Sequence, residues 1–398
     1  MKWNPARPVV YVARDIERAL GMEPRGNYFV VSNDTPQGRT IRDEYPKNVI
    51  LVASAETLDT FDLLALPEVE KFIKSIGADV VVFQNTPRIE RLAVSRKYRI
   101  LNPSADLAKM VEEKISQVAW LDRDANLLPS HRISTLEQIS YSGSRFVLQF
   151  NHAHTGHGTF VINSEDDLRP LREKFPYREC RVTDFIEGPI FTVNALVGDK
   201  EVIIGNPSYQ ITGIEPFTDL PFSTIGNDWS LPQKPEYEGF RIDAVSIAQS
   251  IGARLRKDGW KGLFGIDLVY EPKTKKTYLL EINSRQAASA TFESELQKKT
   301  DPTAPTLFEL HISSLLGESA SPKPFPKVSG SQIVKRVTET QYSVNLESLR
   351  AKGLTVLEYQ NDAPNKELFR IQSSEGIMES HGTLNGLGEF IRSCIRKI

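Results

Sequence analysis

Gly265-Ile266-Asp267-Leu268-Val269 and Leu279-Leu280-Glu281-Ile282-Asn283-Ser284-Arg285 are two apolar runs interrupted by acids and an amide. Between them lies Glu271-Pro272-Lys273-Thr274-Lys275-Lys276, a turn-forming stretch, so the whole reads as a hairpin of two strands. Side chains alternate faces along a strand, which puts Glu281 and Asn283 on one side. With Asp267 on the neighbouring strand, two carboxylates and an amide oxygen converge. Such an all-oxygen set suits Mg²⁺, which takes few protein oxygens and fills its remaining positions with water or nucleotide phosphates. Arg285 continues the same face, where a guanidinium could clamp a phosphoryl group or a carboxylate. The competing reading is a surface hairpin carrying ordinary charges.

Upstream of the hairpin, Ile242–Leu255 has helical apolar spacing, and Ile204 to Gly239 is rich in Pro, Gly, Thr and Asn with few signs of regular structure. A loop that long inside a domain is more often functional than idle. Its mixture of small polar and aromatic residues predicts a substrate pocket bordered by Asn227 and Asp228. Surface packing or a dimer contact is the alternative. Further upstream, Arg145–Phe150, Phe160–Ile162, Arg181–Ile186 and Phe191–Val197 read as strands, and Ser104 to about Leu121 as one helix.

The segment Asn151-His152-Ala153-His154-Thr155-Gly156-His157-Gly158-Thr159 joins two of those strands. Gly156 and Gly158 let the backbone bring N–H groups close to phosphate oxygens, and Thr159 adds a hydroxyl. A zinc site built from His152, His154 and His157 is the rival, weakened by the lack of a Cys or carboxylate partner at fixed spacing.

The first hundred residues alternate short β-branched strands (Val9–Ala13, Tyr28–Val31, Val49–Val52, Asp79–Phe83) with a helix over Leu66–Ile76, and Tyr98–Leu101 could add a strand. That alternation predicts a doubly wound α/β unit. No glycine fingerprint follows its first strand, where Arg14-Asp15-Ile16-Glu17-Arg18 stands instead. The boundaries expected are 1–103, 104–318 and 319–398, the last a separate α/β cap behind a Ser/Pro/Lys-rich linker.

Composition narrows the classes. A net charge of −2 provides no global field for nucleic acid or an anionic membrane, so neither is expected as a partner. No apolar run approaches the ~18–20 residues a bilayer requires. Two cysteines, Cys180 and Cys394, are too few for a disulfide framework, and the N-terminus lacks a signal-peptide core. A cytoplasmic protein is expected.

Read in order, these motifs resemble the ATP-grasp superfamily, which includes D-alanine–D-alanine ligases, biotin carboxylases and L-amino-acid ligases. Glu113-Lys114-Ile115 looks like its lysine segment and Gly156-His157-Gly158-Thr159-Phe160 like its flap. Asp184-Phe185-Ile186-Glu187-Gly188-Pro189-Ile190 resembles its hinge, and the acidic hairpin its metal site. The resemblance spans about Ser104 to Gly317. It implies a Rossmann-like pre-ATP-grasp unit, a two-lobed ATP-grasp domain and a small C-terminal α/β cap. It also implies that ATP is bound with one or two Mg²⁺ ions, Mn²⁺ being an alternative. By it, Asp267, Glu281 and Asn283 hold the metal and Arg285 steadies an acyl phosphate. Lys114 reaches a phosphate, backbone groups near Phe185 and Ile186 read the adenine, and Gln210 lies near the nucleotide.

Three positions depart from the family pattern: Gln149 for the strand lysine, Thr183 for the hinge glutamate and Ile190 for the ribose glutamate. They weaken the nucleotide site unless Arg145, a flap histidine or Glu187 compensates. The activity implied is ATP-dependent joining of a small-molecule carboxylate to an amine, releasing ADP and phosphate. Bicarbonate activation and an inactive nucleotide-binding regulator are the rivals, and a homodimer is left open.

Overall fold

The computed structural model describes residues 4–151, 158–318, 324–359, 361 and 364–398. Four N-terminal strands, β1 (Val9–Val12), β2 (Tyr28–Asn33), β3 (Val49–Val52) and β4 (Asp79–Val82), form a parallel sheet in the order β3-β2-β1-β4. Val9, Val10 and Val12 are fully buried, as expected for a strand covered on both faces. Helices α1 (Pro36–Glu44), α2 (Thr60–Ala65) and α3 (Pro67–Ser75) lie between the strands, and α4 (Pro87–Arg96) follows the last of them. Thr35, Asp59 and Thr86 cap α1, α2 and α4 by accepting from a backbone N–H. The strand expected at Tyr98–Leu101 reduces to a single bridge, Ile100 beside Val80.

The helix expected from Ser104 to Leu121 is two, α5 (Ala105–Glu112) and α6 (Ser116–Leu121). The chain turns extended at Glu113. Asn151 holds the break open: its amide donates to Glu113 Oε2 at 2.7 Å, and its Oδ1 accepts from the Ile115 N–H at 2.9 Å. Tertiary hydrogen bonds here override a continuous helical pattern.

A small antiparallel lobe follows, made of β5 (His131–Thr135), β6 (Phe146–Phe150), β7 (Thr159–Ile162) and β8 (Glu179–Asp184) in the order β5-β8-β6-β7, with α7 (Glu165–Lys174) packed on it. The large lobe is built on β9 (Ile190–Val197), β10 (Val202–Ile204), β11 (Ser208–Thr212), β12 (Thr224–Asp228), β13 (Gly262–Glu271) and β14 (Lys276–Asn283). The segment expected as a long loop therefore contributes two strands from its interior. The strand β11 pairs with β9 and with β12, so its backbone groups are satisfied in mid-sheet. Helix α8 (Glu238–Lys257) covers one face of this sheet, where Phe240 stacks on Phe191 with ring centroids 3.9 Å apart. Helices α9 (Ala290–Thr300) and α10 (Leu307–Leu316) follow the hairpin, and α10 packs Phe308 against Tyr11 of the N-terminal unit.

The C-terminal α/β unit is present, but it continues the sheet. Strands β15 (Ser331–Arg336), β16 (Tyr342–Val344), β17 (Thr355–Glu358) and β18 (Glu367–Ser373) follow in the chain. Three of them extend the large sheet, whose order is β14-β13-β9-β11-β12-β15-β18-β17 with β10 beside β9. Among the described residues no helix is long and apolar enough to cross a membrane.

Candidate active site

Residues directly opposite in a ladder share a face. The register places Asp267 opposite both Glu281 and Thr192, and Asn283 opposite Gly265. The predicted oxygen set thus converges on the face turned away from α8. Thr192 donates to Asp267 Oδ1 at 2.8 Å, Asn283 Nδ2 reaches Asp267 Oδ2 at 3.3 Å, and the Arg285 guanidinium donates to Asn283 Oδ1 at 2.8 Å. Lys114, 5% exposed, forms an ion pair with Glu281 at 2.9 Å. The break between α5 and α6 delivers this lysine into the hairpin; as a mid-helix residue it would follow the course of the helix surface.

The two carboxylates differ electrostatically. Burial, followed by the neighbouring Glu281 charge, pushes Asp267 up to about 6. Burial would raise Glu281 as well, but the Lys114 charge and hydrogen bond, with Arg285 and Arg181 behind them, hold it below the usual carboxylate range. Two acids and an amide oxygen suit a hard cation that retains several waters. Among the described residues no group of three or more His, Cys, Asp and Glu side chains is arranged for a metal. The Asp267–Glu281–Asn283 set fits Mg²⁺ only as a site completed by ligand oxygens.

A bulge interrupts the hairpin between Asp267 and Leu268, leaving Leu280 without a ladder partner. Its carbonyl accepts from Arg181 at 3.1 Å instead. Arg181 is 1% exposed and sits opposite Gln149, whose Oε1 takes two guanidinium hydrogens at 3.1 and 2.7 Å. A further hydrogen goes to Gln117 Oε1 at 3.0 Å. Burial lowers this guanidinium to about 10, so it stays charged at neutral pH. A buried positive charge therefore stands beside Gln149 on the adjacent strand. Arg145 lies over the Phe185 ring at 4.5 Å. Sequence reasoning passed over Arg181 because only strand pairing brings it to Gln149.

The remaining predicted residues distribute around this centre. Thr183 is buried on β8 opposite Val147, and Phe185 and Ile186 follow in the hinge. There Gly188 presses on β13: a Cβ would lie 1.9 Å from the Tyr270 carbonyl oxygen, so no other residue fits. Ile190 begins β9 and is partly buried. Thr159 is exposed at the start of β7, and the Gly158 carbonyl accepts from the Phe150 N–H at 2.9 Å. Gly156 and the histidines 152, 154 and 157 lie outside the described residues.

Gln210, Asp228 and Asn227 are each engaged within the fold, and of the expected substrate pair Asp228 needs correction. Gln210 donates to Thr192 Oγ1 at 2.7 Å and accepts from Thr224 at 3.0 Å, so its amide orients the threonine that orients Asp267. Asp228 is fully buried, and its two oxygens accept the backbone N–H groups of Ser230, Leu231, Ile377 and Met378. That carboxylate staples the C-terminal unit to β12 and has no surface left for a substrate. Asn227, 8% exposed, donates to Ser208 and accepts from Gln332.

Three further side chains close the site toward the N-terminal unit, and none carried a motif in the sequence. Glu112 at the end of α5 accepts from Ser284 at 3.2 Å and Arg285 at 3.3 Å. The ring of Phe83 lies beneath both Arg285, at 5.7 Å, and Arg18, at 5.2 Å.

Residues 111–289 match the model of the ATP-grasp domain, and the chain carries an ATP-grasp domain. Three solved structures show the same fold along nearly the whole length. An L-amino acid ligase from Bacillus licheniformis is 14% identical, with 100% of this chain and 99% of that one covered and a TM-score of 0.66. A carboxyaminoimidazole ribonucleotide synthase from Aspergillus clavatus, solved with ATP, is 15% identical over 98% and 97%, with a TM-score of 0.65. An N5-carboxyaminoimidazole ribonucleotide synthetase from Thermotoga maritima is 15% identical over 98% and 99%, with a TM-score of 0.62. No curated protein matches the sequence.

Proposed function

We propose that this protein is an ATP-dependent ligase that activates a small-molecule carboxylate as an acyl phosphate and transfers the acyl group to an amine. The observation that carries the reading is the flanking of Asp267, Glu281 and Asn283 by Lys114 on one side and Arg285 on the other. Cations bracketing a hard-oxygen set match the distribution of charge along a nucleotide triphosphate. Asp267, Glu281 and Asn283 would hold Mg²⁺, which offsets phosphate charge and orients the γ-phosphoryl group. Lys114, paired with Glu281 at 2.9 Å, would neutralise a phosphate of the nucleotide. Arg285, held by Glu112 and Asn283, keeps its fork aimed where the acyl phosphate forms. The buried charge of Arg181 adds a fixed positive field beneath Gln149. Thr183, Phe185 and Ile186 would border the adenine, and Gly158 and Thr159 would lie beside the phosphates. Asn227 keeps one amide hydrogen for the substrate. The cationic field of Arg181 argues for working catalysis over an inactive binding protein.

A second reading, bicarbonate activation for carboxylating an amine, is favoured by the likeness to structures named as N5-carboxyaminoimidazole ribonucleotide synthetases. One experiment separates the two. ADP release is screened against paired carboxylates and amines, with bicarbonate plus amine as a separate arm, and products are weighed by mass spectrometry. An amide product from a carboxylate–amine pair supports ligation, and a carbamate that requires bicarbonate supports the second reading. ATP binding without ADP release in any arm would overturn both.

A further inference from the structure

On the α8 side of the large sheet, opposite the face bearing Asp267, lies a cavity of about 160 Å³. Val193 of β9 and Ala244 and Val245 of α8 supply its apolar wall. About 150 Å³ is enough to take a benzene ring. This cavity is separate from the catalytic centre, because Val193 and Thr192 point to opposite faces of β9.

Two of its lining residues carry donors without a well-aligned partner among the described residues. Trp229 is 1% exposed, and among the described residues its indole N–H has no hydrogen-bond partner; the buried side-chain amide nitrogen of Asn206 lies beside the Glu293 carboxylate but makes no well-aligned bond. Buried donors are nearly always paired, and an unmade bond of this kind is costly. The neighbouring groups show how fully the fold uses its donors elsewhere. The Asn206 backbone N–H goes to Glu293 at 2.6 Å, and Gln233 gives its amide to the carbonyls of Trp229 and Val328. Arg241 and Lys327 also line the cavity, and among the described residues no carboxylate does.

We propose that this cavity is a binding site for a small monocarboxylate with a compact apolar body. The ring or branched chain fills the space beside Val193 and Ala244. The carboxylate accepts from the Trp229 indole and the Asn206 amide, and its charge is balanced by Arg241 and Lys327. An acceptor without charge would satisfy the two donors and leave the cations idle; an amine would meet four groups of its own kind.

Benzoate is the probe, titrated calorimetrically into the full chain with toluene as the uncharged comparison. Saturable binding with a dissociation constant near or below about 1 mM is expected, and about tenfold weaker binding for toluene. Trp229→Phe keeps the ring packed against Phe292, 5.6 Å away, and removes only the N–H. It should weaken benzoate about tenfold while leaving the thermal midpoint equal or higher, since an unpaired donor has gone. Ala244→Leu fills the cavity and should abolish binding. A crystal soaked in benzoate should show density at Trp229. Overturning results are no saturation, equal affinity in Trp229→Phe, or water alone beside the two donors in the soaked crystal. If Ala244→Leu fails to fold, the tryptophan variant and the soak still decide.

Discussion

The polar face of the large sheet has two ends that solve the burial of polar groups differently. At the β13–β14 end, charge stands against charge: Asp267 beside Glu281, with Lys114, Arg285 and Arg181 around them. At the β11–β12–β15 end, neutral groups pair across the ladder: Gln210 opposite Asn227, and Asn227 opposite Gln332. Neutral amides satisfy one another at modest cost and make a rigid support. Close charges of mixed sign, partly open to the cleft, are poised for a further charge to join them. Between the ends, Thr192 and Gln210 tie the support to Asp267. The difference teaches where binding happens: a ligand is expected where the fold leaves its electrostatics incomplete, not simply where polar residues are many.

Four measurements press on this contrast. The largest effect is expected at Glu281→Gln, which keeps the shape and removes the charge that Lys114 and the metal both need. Metal-dependent ADP release should fall by about 10³-fold, with circular dichroism unchanged. An unaltered rate in a folded variant would move catalysis away from the charged end.

Arg181→Leu comes second. It leaves Gln149, Gln117 and the Leu280 carbonyl facing a gap, with two amide oxygens and a backbone carbonyl losing a charged donor. Urea unfolding should report a loss of about 3 kcal/mol. MgATP affinity should fall with it, and Arg181→Lys should recover more affinity than stability, because the charge returns without the fork. Loss of stability alone would make Arg181 a structural pin with no part in the nucleotide field.

Third is Glu293, a carboxylate on α9 placed beyond the reach of the cationic cluster. It accepts from Asn194 at 2.7 Å, from the Asn206 N–H at 2.6 Å and from Gln297 at 3.2 Å. Burial raises it to about 7 despite these bonds. The native state therefore keeps this proton in a range where the unfolded chain, near the ordinary value of about 4.5, has already released it. Where the native state binds more protons, stability falls as pH rises. The contribution of Glu293 should decline from about pH 4.5 to about pH 7 and level off above. Glu293→Gln imitates the protonated form, and rotation of the Asn194 amide can meet it. Denaturation from pH 5 to 8 should show a slope flattened by the order of 1–3 kcal/mol in the variant. An unchanged slope would mean that Glu293 is ionised throughout.

The contrast also accounts for what could be read in the residues. The hairpin was legible because alternation put Glu281 and Asn283 on one face whatever their neighbours did. The four N-terminal strands were legible for a similar reason: continuous β-branched runs such as Val9–Val12 have few other ways to be buried. The neutral end was not, because β11 and β12 are short and carry Ser, Gln, Asn and Gly where a buried strand usually carries apolar residues. Those residues read as loop until the pairing of Gln210 with Asn227 is known. Arg181 was hidden in the same way, its role set by a partner 32 positions away. Lys114 reads in the sequence as part of one helix, since periodicity across 104–121 carries no trace of the bonds that Asn151 makes.

The smallest expected effect falls at the neutral end. Asn227 gives one amide hydrogen to Ser208 at 3.1 Å and takes one from Gln332 at 3.2 Å, which leaves its second amide hydrogen uncommitted among the described residues. If that hydrogen serves the substrate, Asn227→Ala should raise KM for the carboxylate or the amine several-fold, at a cost of about 1 kcal/mol in stability. MgATP affinity should stay nearly constant, because Thr192 and Gln210, which connect this end to Asp267, keep their own bonds. The two outcomes separate because a lost substrate contact appears in KM or kcat alone, whereas a loosened support displaces Asp267 and weakens MgATP as well. Equal weakening of both would join the two ends into one mechanical unit. No kinetic change, with the stability loss alone, would reduce Asn227 to a rung of the support and place the substrate wholly among the charges around Arg285.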